Sequence, residues 1–382
     1  MLLAAIAPQQ GLTELRAMCR HDGRRMWGVD LCGPTMIVDR QTRAVVSNQY
    51  GPAVLPKEIG IANTAVDIDG KQWTMIAGPL PKDAFARKTL LAHESFHSVQ
   101  KKLGFPITGP SNAHLDSVDG RYWLQLEWRA LAKALRGDWQ AVRDALAFRA
   151  KRRSLFADAA KEERELEMHE GLAEYTGVAF AEPRIAKRVP HLVDKLRDAE
   201  STPTLVRSFA YASGPAWGTL IEMKRPRWTR AAKASDDLGD LAAGAWHVAA
   251  AADAEARAAV YGGEQLLAAE RERDARKQAA LRDFRRRFID GPHLTIPLKH
   301  MSFQFDPNSS QPFEAFGTVY PTLTARDDWG TIVVRKGGAL IASDWSSLTV
   351  AADAHDDYTL TLSDGWTMTP AARAGDVTLT KK

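Results

Sequence analysis

Two histidines four residues apart, with a glutamate beside the first, stand in LLAHESFHSVQ (residues 90–100): His93, Glu94 and His97. Positions four apart on an α-helix share one face, about one turn apart, so both imidazoles can be aimed at a common point. Glu94 lies about 100° round the helix from His93, near enough to reach a water on a metal held by the two rings without being a ligand itself. That division of labour, two imidazole ligands and one general base, is the physical content of the H-E-x-x-H pattern. The plain alternative is a helix whose two histidines hydrogen-bond at the surface or in the core.

A zinc ion held by two imidazoles needs another protein ligand to reach the three-ligand, one-water site of zinc hydrolases. The helical segment EMHEGLAEYTG (167–177) offers Glu170 and Glu174, again four apart, either one available as the third ligand with the other a turn away. His169, next to Glu170, points elsewhere on its helix and reads as a neighbour of the site. Taken singly, both glutamates would belong to a solvated stripe in the acidic run KEERELEMHE. They gain meaning from the second helix they share and from the histidine pair upstream.

In these segments the chain resembles the gluzincin metallopeptidases, the zincin class that includes thermolysin and the aminopeptidase N family. HEGLAEY (169–175) is similar position by position to the Asn-Glu-Gly-Phe-Ala-Glu-Tyr type segment of the aminopeptidase N family. The resemblance implies that Glu170 is the zinc ligand and that Glu174 orients a ligand histidine through its other nitrogen. FAYASGPAWGTLIE (209–222) resembles the Tyr-x-x-Gly segment opening a later helix in those families, which implies Tyr211 as hydrogen-bond donor to the oxyanion; unaided, it reads equally as a core tyrosine. The likeness covers three short segments between residues 90 and 222 and departs from the family twice. His97 and Glu170 are 73 residues apart, a longer interval that requires inserted helices, and the Gly-x-Met-Glu-Asn type segment that holds a substrate's free amine is missing. Aminopeptidase specificity is therefore not implied.

The elements that must position these residues follow from periodicity. Residues 26–80 read as extended, with a polar turn inside TMIVDRQTRAVV (35–46) and a hairpin at Asp69-Gly70 in TAVDIDGKQWTMI (64–76). From Pro81 the pattern turns helical, with Phe85, Leu90, Leu91 and Phe96 at helix-compatible intervals and a stop at Gly104 and Pro106. Further helices are expected over 119–136, 138–153 and 157–180, another after Gly214, and one or two long solvated helices over 235–288. After residue 290, threonine, valine, aromatics and Gly337-Gly338 and Asp364-Gly365 turns predict a C-terminal β module.

The expected fold class is α+β: a zincin-like core with a small β-sheet and two metal-site helices, a helical extension, and a C-terminal all-β, sandwich-like module. The boundaries read as 1–80 for the β-rich part, 81–230 for the metal-site region, 231–289 for the extension and 290–382 for the module, which also offers a surface for a partner. The strand KQWTMI (71–76) precedes the metal helix, so an extended substrate is expected to pair with its edge.

A charge of +4 from 51 basic and 47 acidic residues predicts no nucleic-acid partner, and no apolar run of 18 residues predicts a spanning helix. The apolar start MLLAAIAP is read as the tail of an export signal, with a buried N-terminal segment of a cytoplasmic protein as the alternative. Cys19 and Cys32 would form a disulfide in an exported protein and two free thiols in a cytosolic one. The expected activity is hydrolysis of a peptide or protein substrate with Zn²⁺ as cofactor, Glu94 as base and His93, His97 and Glu170 as ligands. The rival expectations are a zinc-containing binding or scaffold protein, and a zinc hydrolase of another amide or acyl substrate.

Overall fold

A computed structural model describes residues 7–106, 108–306, 309–354 and 356–382. Most of the apolar stretch read as an export signal lies outside the described residues. The chain is mixed α and β, with helices followed by an all-β region, and it divides into two compact units at Glu270/Arg271.

The first unit opens with a helix that periodicity at Leu12, Leu15 and Met18 could have revealed, α1 (Pro8–Asp22), which buries all three. Four strands follow: β1 (Thr35–Val38), β2 (Val45–Ser47), β3 (Thr64–Ile68) and β4 (Lys71–Ala77), in sheet order β2-β1-β4-β3. Asp69 and Gly70 join β3 to β4 with φ of 54° and 73°, the left-handed pair of a tight hairpin. Ile37 and Ile76 enter the main core with Leu80 and Leu91, while Met36, Val38, Trp73 and Met75 pack with Leu55 in a separate cluster. The expectation that β4 offers a free edge is overturned. It pairs in parallel with β1 and antiparallel with β3, so both its edges are taken, and the outer strand on that side is β3. The parallel partner comes from β1, far upstream, and such pairing leaves no local mark in the sequence.

The helices are α2 (Ala84–Gln100), α3 (Val118–Ala134), α4 (Trp139–Ser154), α5 (Ala159–Leu166), α6 (Leu172–Ala181), α7 (Ile185–Ala199), α8 (Ser208–Lys224), α9 (Leu238–Trp246), α10 (Ala254–Ala258) and α11 (Gly263–Arg285), with the unit division inside α11. Asp83 caps α2 by accepting from the Ala86 amide at 2.8 Å. Between α5 and α6 the helix widens into a single π turn, Glu167–Gly171. The helix expected after Gly214 begins earlier, at Ser208. Gly214 instead marks a crossing: a Cβ there would stand 2.3 Å from the Gly171 Cα, so α8 meets the π turn backbone to backbone. Gly177 does the same for α6 against α2, where a Cβ would fall 2.6 Å from the Thr89 carbonyl oxygen. The region read as one or two long helices contains two short ones and the long α11; left-handed His247 (φ 52°) and Gly262 (φ 72°) interrupt it.

Beneath the π turn lies an ionic cluster of a kind that single-sequence reading assigns to solvent. Arg152 bonds Glu127 and Glu163 at 2.7 Å each, and Arg149 bonds Glu167 and, at 3.0 Å, Asp237. Arg149, Arg152, Glu127, Glu163 and Glu167 are each under 5% exposed, and Arg153 joins them from the rim.

The second unit carries β5 (His293–Pro297), β6 (Ser302–Phe305), β7 (Gln311–Phe313), β8 (Gly317–Tyr320), β9 (Leu323–Asp327), β10 (Gly330–Val334), β11 (Ala339–Ala342), β12 (Ser347–Ala351), β13 (Tyr358–Leu362), β14 (Trp366–Pro370) and β15 (Val377–Lys381). They form sheets ordered β13-β10-β9-β6 and β14-β15-β5-β12-β11-β8-β7, antiparallel but for β15 beside β5. Ile332, Val334 and Ala325 of the first share one core with Ile296, Leu348 and Ile341 of the second.

Candidate metal centre

α2 brings His93 and His97 to the face that α6 and the π turn cover. His93 and Glu94 are 5% and 7% exposed and Glu170 6%, so the cluster is built into the protein. Each ring has one nitrogen committed. His93 Nδ1 donates to Glu174 Oε2 at 2.7 Å, and His97 Nδ1 donates to Gln100 Oε1 at 2.7 Å. Gln100 is turned that way round because its amide nitrogen donates to the Met168 and His169 carbonyls, at 3.2 and 2.8 Å. Both Nε2 atoms are thereby the ones turned to the site, each with a lone pair whenever it carries no proton.

Those lone pairs converge. His93 Nε2 and His97 Nε2 are 3.0 Å apart, and each lies 3.5 Å from Glu170 Oε2. Three acceptors so close repel one another unless a proton or a cation sits between them. Ligands about 2.1 Å from a tetrahedral zinc stand about 3.4 Å apart, and the observed spacings lie within a few tenths of an ångström of that. His93, His97 and Glu170 are also one of the described groups whose ligand atoms all fall within 4.8 Å of one another. The donor set and its spacing fit a zinc ion.

Charge in the site follows from burial and hydrogen bonding. Burial disfavours a charged His93, but its hydrogen bonds to Glu170 and Glu174 outweigh this and lift it to about 9. Burial opposes ionisation of Glu170 as well, yet bonds from His93, His97 and Tyr211 hold its carboxyl well below the usual range. Glu174 is brought down to about 2 against the cost of its burial, by His93 and by Lys195. Glu94 goes the other way, pushed up by burial, and no hydrogen bond to its carboxylate is present among the described residues. A carboxyl with raised proton affinity and free oxygens is suited to taking and returning a proton.

α8 and Arg207, the residue that caps its start, supply further groups. The Tyr211 hydroxyl donates to Glu170 Oε2 at 2.6 Å and its ring stacks on His93, centroids 5.5 Å apart. Burial and Glu170 push its ionisation upward, so it remains a donor. Arg207 donates to the other Glu170 oxygen at 3.1 Å. His169 donates through Nδ1 to the Thr108 carbonyl at 3.0 Å and stands beside His97, outside the converging trio. His93, Glu94, Glu174 and Tyr211 line a cleft of about 840 Å³, with Phe85 and Leu90 of α2 and Lys195 of α7 among its walls.

All six residues singled out from the sequence thus meet at one place. Gln100, Lys195 and Arg207 complete it and were not foreseen. Gln100 lies three residues past His97 on the same helix and had a weak local signal; Lys195 and Arg207 had none. No protein-family model, curated protein or solved structure matches the chain.

Proposed function

We propose that the first unit is a zinc-dependent peptidase of gluzincin type, built on a zincin-like core of β1–β4, α2 and α6. The observation that carries this reading is the convergence of three acceptor atoms on one point while the other nitrogen of each imidazole is tied down. His93 Nε2, His97 Nε2 and Glu170 Oε2 would hold the ion, which when bound acidifies a coordinated water toward a pKa of ~7 and polarises a carbonyl. The long interval between His97 and Glu170 is taken up by α3, α4 and α5.

Glu94 accepts a proton as the water oxygen bonds to the substrate carbonyl carbon, and delivers a proton to the amine nitrogen as the C–N bond breaks. Tyr211 shifts the hydrogen bond of its O–H from Glu170 to the carbonyl oxygen as that oxygen gains negative charge. His93 and His97 keep their Nδ1–H groups on Glu174 and Gln100 throughout, so both rings hold their orientation. The outer strand available to an extended substrate is β3, whose predecessor Asn63 lines the cleft. Among the described residues no fourth histidine, cysteine, aspartate or glutamate joins the trio, and the cleft leaves room for water and substrate, which favours a hydrolase over a closed structural site.

Export is part of the same reading. Cys19 and Cys32 form a disulfide with Cα atoms 6.0 Å apart, a bond that persists in oxidising compartments. No described helix is long and apolar enough to cross a membrane.

Metal analysis paired with Glu94→Gln tests the function. The variant should retain one zinc per chain and lose peptide hydrolysis by roughly 10²–10⁴-fold. Undiminished hydrolysis removes Glu94 from its role, and a wild-type protein that takes up no zinc ends the reading.

A further inference from the structure

The two oxygens of Glu174 do different things. Oε2 receives the His93 Nδ1–H, and Oε1 is held by the ammonium of Lys195, which reaches down from α7. Glu174 has 8% of its side chain exposed and Lys195 34%, so the carboxylate is enclosed while the lysine faces the cleft. Lys195 is the one lysine or arginine paired with Glu174 among the described residues. The chain of contacts runs from cleft wall to ligand ring: Lys195, Glu174, His93, converging point.

We propose that Lys195 is a positioning residue for the metal centre, fixing the carboxylate that fixes the ligand histidine. The inference rests on the metal-centre reading above. A carboxylate bonded through one oxygen can pivot about its side-chain bonds; bonded through both, it presents Oε2 to His93 in one orientation. His93 Nε2 must point at the same spot as His97 Nε2 and Glu170 Oε2, so freedom at Glu174 becomes freedom at a ligand. Glu170 is treated alike: Arg207 holds its Oε1 and leaves Oε2 to the trio. In both carboxylates a cation takes the oxygen turned away from the functional contact, and in Lys195 that cation belongs to the helix that walls the cleft. The position of α7 and the aim of His93 are therefore linked.

The test is zinc binding by the full chain, measured in competition with a chelating dye, for wild type, Lys195→Met, Lys195→Arg, Glu174→Ala and the Lys195→Met/Glu174→Ala double variant. Loss of an outer partner of a metal ligand costs on the order of 10–100-fold in affinity. Lys195→Met should weaken zinc about tenfold, Lys195→Arg should restore most of it, and the effect of Lys195→Met should vanish once Glu174 is alanine. Substituted cobalt gives a second readout, because a loosened His93 alters its visible absorption in Lys195→Met and not in Lys195→Arg. Wild-type affinity in Lys195→Met overturns the proposal, as does an equal loss in the Glu174→Ala background, which a purely structural role for Lys195 would produce. Absence of zinc binding by wild type overturns this proposal and the metal-centre reading together; zinc binding indifferent to Lys195 overturns this one alone.

Discussion

Gln100 holds His97 by its amide oxygen, 2.7 Å from Nδ1, and holds the π turn by its amide nitrogen, on the Met168 and His169 carbonyls. One fully buried side chain therefore sets the orientation of a proposed ligand on α2 and ties α2 to the turn that bears Glu170. Gln100→Leu removes both connections, taking the side-chain amide from two carbonyls and the acceptor from a ring N–H. Zinc affinity should fall on the order of 10–100-fold, read by dye competition. Affinity equal to wild type would show that His97 is held by something else.

Gly214→Ala asks whether the α8 crossing matters. The added methyl would stand 2.3 Å from the Gly171 Cα, and the backbone at Gly171 has no flexible end to yield. α8 must move away from the π turn, carrying Tyr211 and Arg207 off Glu170. A stability loss of about 1–3 kcal/mol is expected from overpacking, with hydrolysis falling more steeply than stability. Denaturant unfolding and single-turnover kinetics on one preparation separate the two effects.

Arg149→Met tests the buried ionic cluster. It takes from Glu167 its nearest cation and leaves Asp237 to Arg153 alone, and removal of one partner from a buried ion pair costs about 3–5 kcal/mol. Glu167 opens the turn that carries Glu170, so zinc binding should weaken along with the unfolding midpoint. A variant as stable as wild type would mean that Arg153, which also bonds Asp237 at 2.8 Å, compensates.

Acid should unfold the first unit. Against the cost of their burial, Glu163 is held well below the ordinary glutamate range by Arg152 and His114, and Asp237 is held low by Arg149 and Arg153. A group with a depressed folded-state pKa contributes stability above its unfolded value, about 4 for these side chains, and loses it as pH falls toward the folded value. Glu167 is displaced the other way by burial and opposes the trend, one group against two. Urea midpoints should hold level from pH 7 to about 5 and fall steadily below about 4. Removing Asp237 by Asp237→Asn should shallow that fall; an unchanged slope would remove the cluster from the explanation.

Local order carried much of the site. His93 with His97, and Glu170 with Glu174, are pairs one helical turn apart, and an apolar repeat or a resemblance of a few residues places such pairs on a helix without knowledge of its neighbours. The hairpin at Asp69-Gly70 was legible for the same reason, since two residues that tolerate positive φ define the turn. The free edge assigned to β4 failed because the parallel partner β1 lies further back in sequence, beyond β2 and β3, where no period records it. The early start of α8 was hidden because Gly214 resembles a helix boundary in sequence and is a helix crossing in space.

By itself the sequence determined which side chains share a turn and which segments alternate like strands, while it left Cys19 and Cys32 open between a disulfide and two thiols. Tertiary structure alone decided that two helices separated by three others close on one point, which carboxylate oxygen faces it, and that Gln100, Lys195 and Arg207 stand behind the proposed ligands. The physical reason is range: dihedral preferences and helical periodicity act over a few residues, whereas packing of Gly171 on Gly214 and Gly177 on Thr89 joins parts of the chain that no local rule connects.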